Sequence, residues 1–446
     1  MMLYTSTESD TTAVRCLEAV ERCIPPGGGL YMPQQIPAIP VALFNNIAEM
    51  SLRDIAYVVA SSFLGNEIPA GEIKQTVDYA FAADAPLVHL GGNSYALELF
   101  HGPTLTFKDY GARFVARLLA AADRQAGRQR RTVLVATTGN SGAATANGML
   151  GQNGTDVLVL YPKGALSRTQ KSQFSTLGRN VHPLEVDGTI EDCKRLVAEA
   201  IADKDLEYAG ATSANSLNIG RMIPQIVFSL HAYARMMAAG VPHASEAVYA
   251  IPSGNLSNLV ATLMAVKMGL PAKAVVAATN TNDSLRRSLT GDTTHRPVPT
   301  VAPSLDISLP AGLSRLTYMC GKDLSKAPCP VLVPPGIDDR TIASTVLRLK
   351  ADNGYTIDTH GATALAAALA TAPAEAPKLV FATGHPAKNL DIMPRITGST
   401  IELPVQLTRF MASRRRFNTI PPTLAALRKY IGNIGRPTAA DNCRTY

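Results

Sequence analysis

The stretch from Thr132 to Leu150, TVLVATTGNSGAATANGML, contains the pattern that decides the fold. An apolar run ends at Val135, a tight glycine turn follows, and the residues after the turn suit a helix. This order predicts a strand, a turn and a helix. Similar apolar runs alternate with amphipathic stretches along the chain, at 132–136, 156–161, 247–251, 274–278 and 378–382. Alternating strands and helices predict an α/β protein with a mainly parallel sheet.

The bulk composition is that of a well-packed globular protein. The chain has 446 residues, of which 46% are hydrophobic and 17% charged, whereas disorder requires the opposite balance. At about 150 residues per domain, this length favours roughly two or three packed units. No stretch approaches the roughly 20 apolar residues that span a bilayer, and the start MMLYTSTESD has no signal-peptide pattern. We therefore expect a cytoplasmic protein without a membrane partner.

The cysteines and the net charge exclude little by themselves. Six cysteines are spread along the chain without a CxxC pair, which predicts reduced core thiols and no metal site. They are Cys16, Cys23, Cys193, Cys320, Cys329 and Cys443. The net charge of +7 is compatible with nucleic acid, an anionic surface or an anionic substrate. The basic runs Arg128–Arg131 and Arg414–Arg416 lack interleaved aromatic residues, which favours solvated faces over a nucleic-acid site.

Lys108 lies in HGPTLTFKD, residues 101–109, directly before a stretch with helical spacing from Tyr110 to Ala122. Asp109 is well placed to favour the first turn of that helix. A lysine at such a junction is usually a solvated side chain. Its place between Phe107 and Tyr110 behind a rigid GPT turn predicts a desolvated amine instead. Desolvation lowers the pKa of a lysine and makes its amine nucleophilic toward an aldehyde.

Two glycine turns between a strand and a helix are candidate anion cradles, although a plain turn is the alternative at each. In ATTGNSGAATANGML, residues 136–150, backbone N–H groups act together with the hydroxyls of Thr137, Thr138 and Ser141. In YAIPSGNLSNLVATLMAVKMG, residues 249–269, successive N–H groups face the positive end of a helix. Neither turn has the spacing for Walker-type ATP binding or dinucleotide binding. One cradle suits a cofactor phosphate and the other a substrate phosphate.

Two further segments supply polar groups. SANSLNIGRMIPQ, residues 213–225, gathers Asn215, Ser216, Asn218 and Arg221 before an apolar helical run. An arginine is a natural bidentate partner for phosphate or carboxylate, and a capped helix with a solvated arginine is the alternative. In FATGHPAKN, residues 381–389, Thr383 stands at the end of a strand, where its hydroxyl could reach a buried ring nitrogen.

In this order the motifs resemble the threonine synthase family of fold-type II pyridoxal phosphate (PLP) enzymes over nearly the whole chain. LYTST at 3–7 and GGLYMP at 28–33 are similar to the family's opening, and HGPTLTFKD resembles its Schiff-base motif. The resemblance implies two open, twisted, mainly parallel sheets flanked by helices, with an N-terminal helical cap. It further implies a cap subdomain at 1–88, a large PLP-binding domain at 89–134 and 246–446, and a smaller mobile α/β domain at 135–245.

The resemblance also implies a role for each candidate site residue. Lys108 is the lysine that binds PLP, Asn140 lies against the cofactor O3′, and Thr383 meets the pyridine nitrogen. The loop that holds the PLP phosphate consists of Gly254, Asn255, Leu256, Ser257 and Asn258. The residues that hold the substrate phosphate are Thr137, Thr138, Asn215, Ser216 and Arg221.

The activity implied is a PLP-dependent lyase reaction that converts O-phospho-L-homoserine and water to L-threonine and phosphate, in a monomer or homodimer. Two departures concern the substrate end: GNLSN stands for the usual GNFGD, and PAGLSR at 310–315 stands for PSNFER. Small residues, Ala311 and Gly312, there replace polar ones. The GNLSN and PAGLSR departures motivate an alternative, an enzyme of specialised biosynthesis that acts on a phosphonate or another γ-substituted amino acid. A non-catalytic anion-binding protein is a second alternative.

Overall fold

The computed structural model describes residues 2–9, 11–292, 294–321 and 323–434. The strands are β1 Leu3–Ser6, β2 Val14–Arg15, β3 Tyr31–Pro33, β4 Leu87–Gly91, β5 Ser94–Glu98, β6 Arg131–Ala136, β7 Thr155–Pro162, β8 Val181–Val186, β9 Ala211–Ser213, β10 Val248–Pro252, β11 Ala274–Ala278, β12 Val331–Leu332, β13 Lys378–Ala382 and β14 Asn418–Ile420.

The α-helices fill most of the chain between these strands. They are α1 Cys16–Arg22, α2 Val41–Asn46, α3 Leu52–Leu64, α4 Ala70–Ala80, α5 Lys108–Ala126, α6 Asn140–Gly148, α7 Arg168–Ser175, α8 Ile190–Ala202, α9 Met222–Ala238, α10 Ser257–Lys267, α11 Ser284–Leu289, α12 Leu313–Cys320, α13 Asp339–Asn353, α14 Thr359–Thr371, α15 Met393–Thr397, α16 Val405–Ala412 and α17 Leu424–Ile434. The predicted strand–turn–helix order therefore holds at 131–148 and at 248–267.

The larger sheet has the strand order β12-β11-β10-β13-β5-β4, and only β4 runs antiparallel to its neighbour. Its central strands are buried on both faces, as parallel strands covered by helices must be. Along β10, Val248 and Ala250 face one core, whereas Tyr249 and Ile251 face the other. Helix α14 packs on one face and α10 on the other.

The second sheet has the order β14-β8-β7-β6-β9 and is parallel throughout. On one face, Leu134 and Leu158 pack with α8 and α17, and on the other Val133 and Val157 join the main core. The expected class, an α/β fold with two mainly parallel sheets flanked by helices, is confirmed.

The N-terminal segment contains a small antiparallel sheet, β2-β1-β3, which the sequence pattern did not predict. Its strands are two to four residues long, too short to show an alternating pattern. The apolar spacing at 51–64 indicates a helix, and the structure has α3 there, where Ser51 and Asp54 form a capping box. Similar spacing at 11–23 indicates a helix as well, but α1 is shorter and begins at Cys16. The cap is therefore a mixture of helices and a short sheet.

Sheet membership corrects the expected domain boundaries at two places. Residues 131–134 were expected in the large domain, but they belong to β6, at the centre of the five-stranded sheet. Residues 418–434 were also expected there, but β14 pairs with β8 and α17 packs on α8. The chain thus returns to the second sheet at its C-terminal end, a long-range pairing that sequence order does not show. The last part of the predicted segment, 435–446, lies outside the described residues.

The basic run at 128–131 is not a solvated face throughout. Arg131 is buried, and its guanidinium donates to Asp123 and Glu21. Burial alone would lower the pKa of Arg131, but the hydrogen bonds to Asp123 and Glu21 raise it above its ordinary value. Arg131 thus joins α1, α5 and β6, and this part of the prediction was wrong because a local charge run does not show the distant carboxylate.

The expected core thiols are present where the structure describes them: Cys16, Cys23, Cys193, Cys320 and Cys329 are buried and unpaired. Cys443 lies outside the described residues. Within the described ranges, no helix is long and apolar enough to cross a bilayer. In that same part of the chain, no group of three or more His, Cys, Asp or Glu side chains is placed to hold a metal ion.

Phe228 on α9 is the side chain that best tests this core. It is fully buried and meets Tyr110 of α5 edge-on at 5.2 Å and Phe381 of β13 at 6.4 Å between ring centroids. Phe228→Ala should lower the free energy of unfolding by about 3–5 kcal/mol, because the cavity cannot close between three elements. Leu369→Ala, at a side chain 44% exposed, is the control and should change it by less than about 0.5 kcal/mol. Urea denaturation measures both, and equal effects would contradict the packing described.

Candidate active site

A cavity of about 110 Å³ lies where the carboxyl ends of β10 and β13 meet the starts of α5 and α10. Ligands of open parallel sheets bind at this edge, because the loops that leave the strands converge there. The wall consists of Phe107, Lys108, Gly111, Ser141, Ser216, Arg221, Gln225, Pro252, Gly254, Asn255, Leu256, Ser257, Asn258, Ser304, Leu305, His360 and Thr383.

Lys108 is the first residue of α5, at the predicted junction between loop and helix. The turn before it is fixed to the segment that leaves β13. The Phe107 N–H donates to the Thr383 carbonyl at 3.0 Å, and the His385 N–H donates to the Leu105 carbonyl at 3.1 Å. Leu105 has φ 61°, a left-handed conformation that costs a non-glycine residue about 1–2 kcal/mol. The surrounding contacts therefore hold this turn in one strained shape.

The amine of Lys108 is enclosed by the cavity and donates to Ser141 Oγ at 3.2 Å. Burial, with a smaller contribution from the positive charge of Arg221, lowers the pKa of Lys108 to about 8. With this pKa about a tenth of such amines is neutral at pH 7, more than about a hundredfold above the neutral fraction of an ordinary lysine, and nucleophilic attack on a carbonyl requires the neutral form. The structure thus has the desolvated lysine that the sequence predicts.

The glycine loop after β10 lines the cavity from Gly254 to Asn258. Leu256 has φ 60° and precedes α10, so that helix begins at the cavity wall, where its first N–H groups have no acceptor within the helix. A Cβ at Gly254 would lie 2.6 Å from the Ser304 carbonyl oxygen, so only glycine fits there. The Oδ1 atom of Asn258 is buried and has no partner among the described residues. The loop thus combines a buried unpaired polar group with a helix start, an arrangement that favours an anion.

The first glycine turn is placed differently from the prediction. Thr137 Oγ1 accepts the N–H groups of Gly139 and Gly142, both at 2.9 Å, and holds the turn together. Thr137 is buried outside the cavity wall, and Thr138 is exposed. Asn140 opens α6 next to Ser141, and its buried Oδ1 has no partner in the described part of the chain. Only Ser141 of this turn reaches the wall.

Of the segment 213–225, Ser216 and Arg221 line the cavity, whereas Asn215 lies beside it. Arg221 is buried, and its guanidinium donates to the Ala214 carbonyl at 2.6 Å and to Thr145 Oγ1 at 2.7 Å. Burial lowers the pKa of Arg221 to about 10. It still carries a positive charge at neutral pH, held beside Lys108 without a carboxylate among its hydrogen-bond partners. A solvated arginine, the alternative that the sequence left open, is excluded.

His360 is a cavity residue that the sequence did not indicate. Its Nδ1 lies 2.6 Å from Asp358 Oδ2, and its Nε2 accepts the Ser304 N–H at 3.1 Å. These partners place the ring proton on Nδ1 and fix the ring. Asp358 also caps α14, and a capping Asp is too common to have marked a site.

Gln225 was also missed. It lines the cavity with a buried Oε1 that has no partner in the described part of the chain, while its Nε2 bonds the Arg221 carbonyl.

Ala311 and Gly312, the small residues that depart from the family pattern, lie outside the cavity wall. They contact Asn255, whose Oδ1 accepts the Ala311 N–H and whose carbonyl accepts the Gly312 N–H, both at 3.2 Å. A Cβ at Gly312 would lie 2.5 Å from that carbonyl oxygen. The two departures therefore contact each other: the PAGLSR segment supports the GNLSN loop through its backbone, and Ala311 and Gly312 do not line the cavity.

The chain is similar to known proteins over nearly its whole length. Residues 82–384 match the family described as pyridoxal-phosphate dependent enzyme, and residues 3–81 match the threonine synthase N terminus. A threonine synthase of Serratia marcescens is 33% identical over 97% of this chain and 99% of its own length. The solved threonine synthase of Escherichia coli has a TM-score of 0.86 at 32% identity, covering 97% of this chain and all of that one. The PLP-bound threonine synthase of Brucella melitensis gives 0.89 at 29%, covering 98% and 100%.

The fold and the site define a fold-type II enzyme that depends on PLP. Within that class, the chain belongs to the threonine synthase family. The predicted family and the predicted cofactor are both confirmed.

The residues of the cavity fit PLP. The Gly254–Asn258 cradle suits its phosphate group, and the enclosed amine of Lys108 suits its aldehyde. The orphaned amide oxygens of Asn140 and Asn258 belong to side chains that remain available to a bound molecule.

The low pKa of Lys108 can be measured by reductive methylation of the cofactor-free protein with formaldehyde, because only the neutral amine reacts. Lys108 should be half-reactive near pH 8, whereas an ordinary lysine, with a pKa of about 10.4, needs a much higher pH. Arg221→Met removes a neighbouring positive charge, so the pKa of Lys108 should rise and the midpoint should move to higher pH. Peptide mass spectrometry gives the profile of each lysine. A Lys108 profile like that of surface lysines would contradict the described environment.

Proposed function

We propose that this chain converts O-phospho-L-homoserine and water to L-threonine and inorganic phosphate, with PLP as cofactor. The proposal rests on one observation. A single cavity contains Lys108, whose pKa is lowered by burial, together with the Gly254–Asn258 loop and the buried side chain of Arg221. The cradle suits the cofactor phosphate, and Arg221 suits a second phosphate on the substrate. The relatives named above are threonine synthases over nearly their full length, which supports the same reaction here.

Each polar edge of the cofactor has a candidate partner. Lys108 would hold PLP covalently through Nζ, Asn140 would face O3′, and Thr383 would offer a neutral hydroxyl to the pyridine nitrogen. The phosphate would lie against Gly254, Asn255, Leu256, Ser257 and Asn258. Bound PLP supplies an electron sink that stabilises negative charge next to the substrate amine, and a neutral hydroxyl partner moderates it.

The chain's own residues supply binding and proton transfer. Lys108 Nζ is the base for the Cα proton, and a pKa of about 8 lets it both take and return a proton near neutral pH. Arg221 and Ser216 lie in the wall and hold the substrate phosphate as it leaves from Cγ. Loss of phosphate from Cγ also requires removal of a proton from Cβ. The hydroxyl of water is then added at Cβ, and protons are returned to Cα and Cγ, which gives threonine and inorganic phosphate.

The remaining predicted phosphate ligands require movement. Thr137, Thr138 and Asn215 lie beside the cavity, on the segment expected to form a mobile domain. Closure of that segment over the substrate would bring Thr138 and Asn215 nearer and would exclude water. Thr137 would act mainly through the turn that it holds. The mobility of 135–245 stays a prediction.

The specialised-pathway alternative loses its basis in the structure. It rested on the PAGLSR and GNLSN departures. Ala311 and Gly312 contact Asn255 through the backbone and lie outside the cavity wall, and the GNLSN loop keeps a glycine turn at a helix start. All five cysteines in the described part of the chain are unpaired, which supports a reducing compartment and a cytoplasmic enzyme. A monomer or homodimer stays the expected assembly.

Release of inorganic phosphate from O-phospho-L-homoserine by the purified protein tests the function directly. The wild type should release phosphate and form threonine in equal amounts. Lys108→Ala should lose the visible absorbance of lysine-bound PLP and at least about 10⁴-fold in kcat, because the base and the covalent attachment are both removed. Wild-type protein that binds PLP but leaves this substrate unchanged would overturn the proposed reaction.

Gly312→Ala tests whether the PAGLSR segment supports the phosphate cradle. Its Cβ would press on the Asn255 carbonyl oxygen, so the affinity for PLP should fall about tenfold or more, by about 1.4 kcal/mol per tenfold. Gly71→Ala, where no atom lies within 4 Å of the new Cβ, is the matched control and should bind PLP as the wild type does. Absorbance titration of the cofactor-free proteins measures both, and unchanged affinity in Gly312→Ala would contradict the support described.

A further inference from the structure

Lys388 is a buried lysine that the proposed reaction does not use. It follows Thr383 in the ATGHPAK segment and is only 6% exposed. Its Nζ donates to the Thr104 carbonyl at 2.7 Å and to Gln173 Oε1 at 2.6 Å. Both acceptors are uncharged, and burial lowers the pKa of Lys388 to about 7. Burying this amine without a hydrogen-bonded carboxylate is therefore energetically costly.

Thr104 connects this lysine to the catalytic turn. Its carbonyl oxygen accepts from Lys388 and also from Gln173 Nε2 at 3.2 Å. Its N–H and hydroxyl donate to the carboxylate of Asp109 at 2.8 and 2.5 Å. Asp109 is the residue after Lys108, and a Cβ at Gly102 would lie 2.5 Å from its Oδ2. A continuous chain of buried hydrogen bonds thus runs from Lys388 to the start of α5.

The same contacts join the two sheets. Thr104 and Lys388 lie on segments that leave β5 and β13 of the six-stranded sheet, whereas Gln173 lies on α7, between β7 and β8 of the five-stranded sheet. Gln173 is 1% exposed; its Nε2 donates to the Thr104 carbonyl, and its Oε1 accepts from Lys388 Nζ. The side chains of Lys388 and Gln173 and the Thr104 carbonyl form a closed triangle of hydrogen bonds that joins the two sheets four residues before Lys108.

Lys378, at the other end of β13, shows what a purely local buried lysine looks like. It is 5% exposed, and its Nζ donates to the carbonyls of Pro373, Ala374 and Ala376, all within five residues of it. Lys388 instead bonds groups 215 and 284 residues away in sequence. Lys378 therefore stabilises one loop, whereas Lys388 connects two structural units.

We propose that Lys388 is a positioning residue that couples the five-stranded-sheet unit, through Gln173, to the turn that aims Lys108. The inference rests on the proposed function, because it assigns the coupling to the residue that takes the substrate proton. When the unit that carries α7 shifts toward the cavity, Gln173 moves with it, and the triangle passes that displacement to Thr104, Asp109 and the first turn of α5.

The kinetic test compares Lys388→Met, Gln173→Leu and the double variant with Lys378→Met as the matched buried-lysine control. Each of the first two should lower kcat for O-phospho-L-homoserine by about tenfold or more, because a small misplacement of the base is costly. KM should stay within about threefold, because Arg221 and Ser216 are untouched. The double variant should be no slower than the slower single variant, since both break one triangle.

Lys378→Met should keep kcat within about twofold whatever it does to thermal stability, because its contacts are local. Should Lys388→Met fold poorly, Gln173→Leu still tests the triangle, since it removes no buried charge. Unchanged kcat in Gln173→Leu, or losses that multiply in the double variant, would overturn the coupling.

A second readout uses the cofactor-free protein and needs no turnover. Hydrogen exchange followed by mass spectrometry should show faster exchange in both 102–110 and 168–175 in Lys388→Met and in Gln173→Leu. Lys378→Met should leave both segments at the wild-type rate. Faster exchange confined to one of the two segments would refute a joint element. Wild-type protein without turnover would instead refute the proposed reaction, and the exchange experiment would still decide the coupling.

Discussion

The antiparallel contact between the turn before Lys108 and the segment after β13 is the constraint on which the site depends. The carbonyl of Thr383 accepts from Phe107, and the carbonyl of Leu105 accepts from His385, so two segments almost 280 residues apart share one backbone register. Leu105 is held in a left-handed conformation and packs against Ala387 and Leu407. This contact places the Lys108 amine and the Thr383 side chain in the wall of one cavity. Without it, the lysine would be a solvated side chain at a helix start.

Electrostatics then favours anionic groups in the cavity. Arg221 lines it beside Lys108, and Arg315 is buried nearby, whereas the carboxylate of Asp109 has its pKa raised by burial. Arg315 donates only to the carbonyls of Tyr31 and Leu217, which belong to the cap and to the Arg221 segment. An excess of buried positive charge favours dianionic groups, and a phosphorylated substrate with a phosphorylated cofactor supplies two of them. Carboxylates such as Asp358 are already committed to partners.

Local patterns predicted much of this molecule. The strands at 274–278 and 378–382 begin and end where the sequence placed them, because β-branched runs between turns need no distant partner to be recognised. The glycine loop at 254–258 was found for the same reason, since its helix start is a local feature. Thr137 shows the limit of such reasoning. Its hydroxyl was expected to meet a ligand, but it accepts two N–H groups of its own turn, and only the folded turn shows that.

The sequence by itself determined the order of strands and helices, the position of Lys108 and the identity of the two glycine turns. Only the tertiary structure decided which side chains meet. It brought His360 to Ser304, Ala311 to Asn255 and Lys388 to Gln173, and it gave Lys108 a pKa of about 8. The physical reason is the range of the interactions. Propensity and capping act within a few residues, whereas desolvation and buried hydrogen bonds depend on segments that lie 56 to 284 residues apart and meet only in the folded chain.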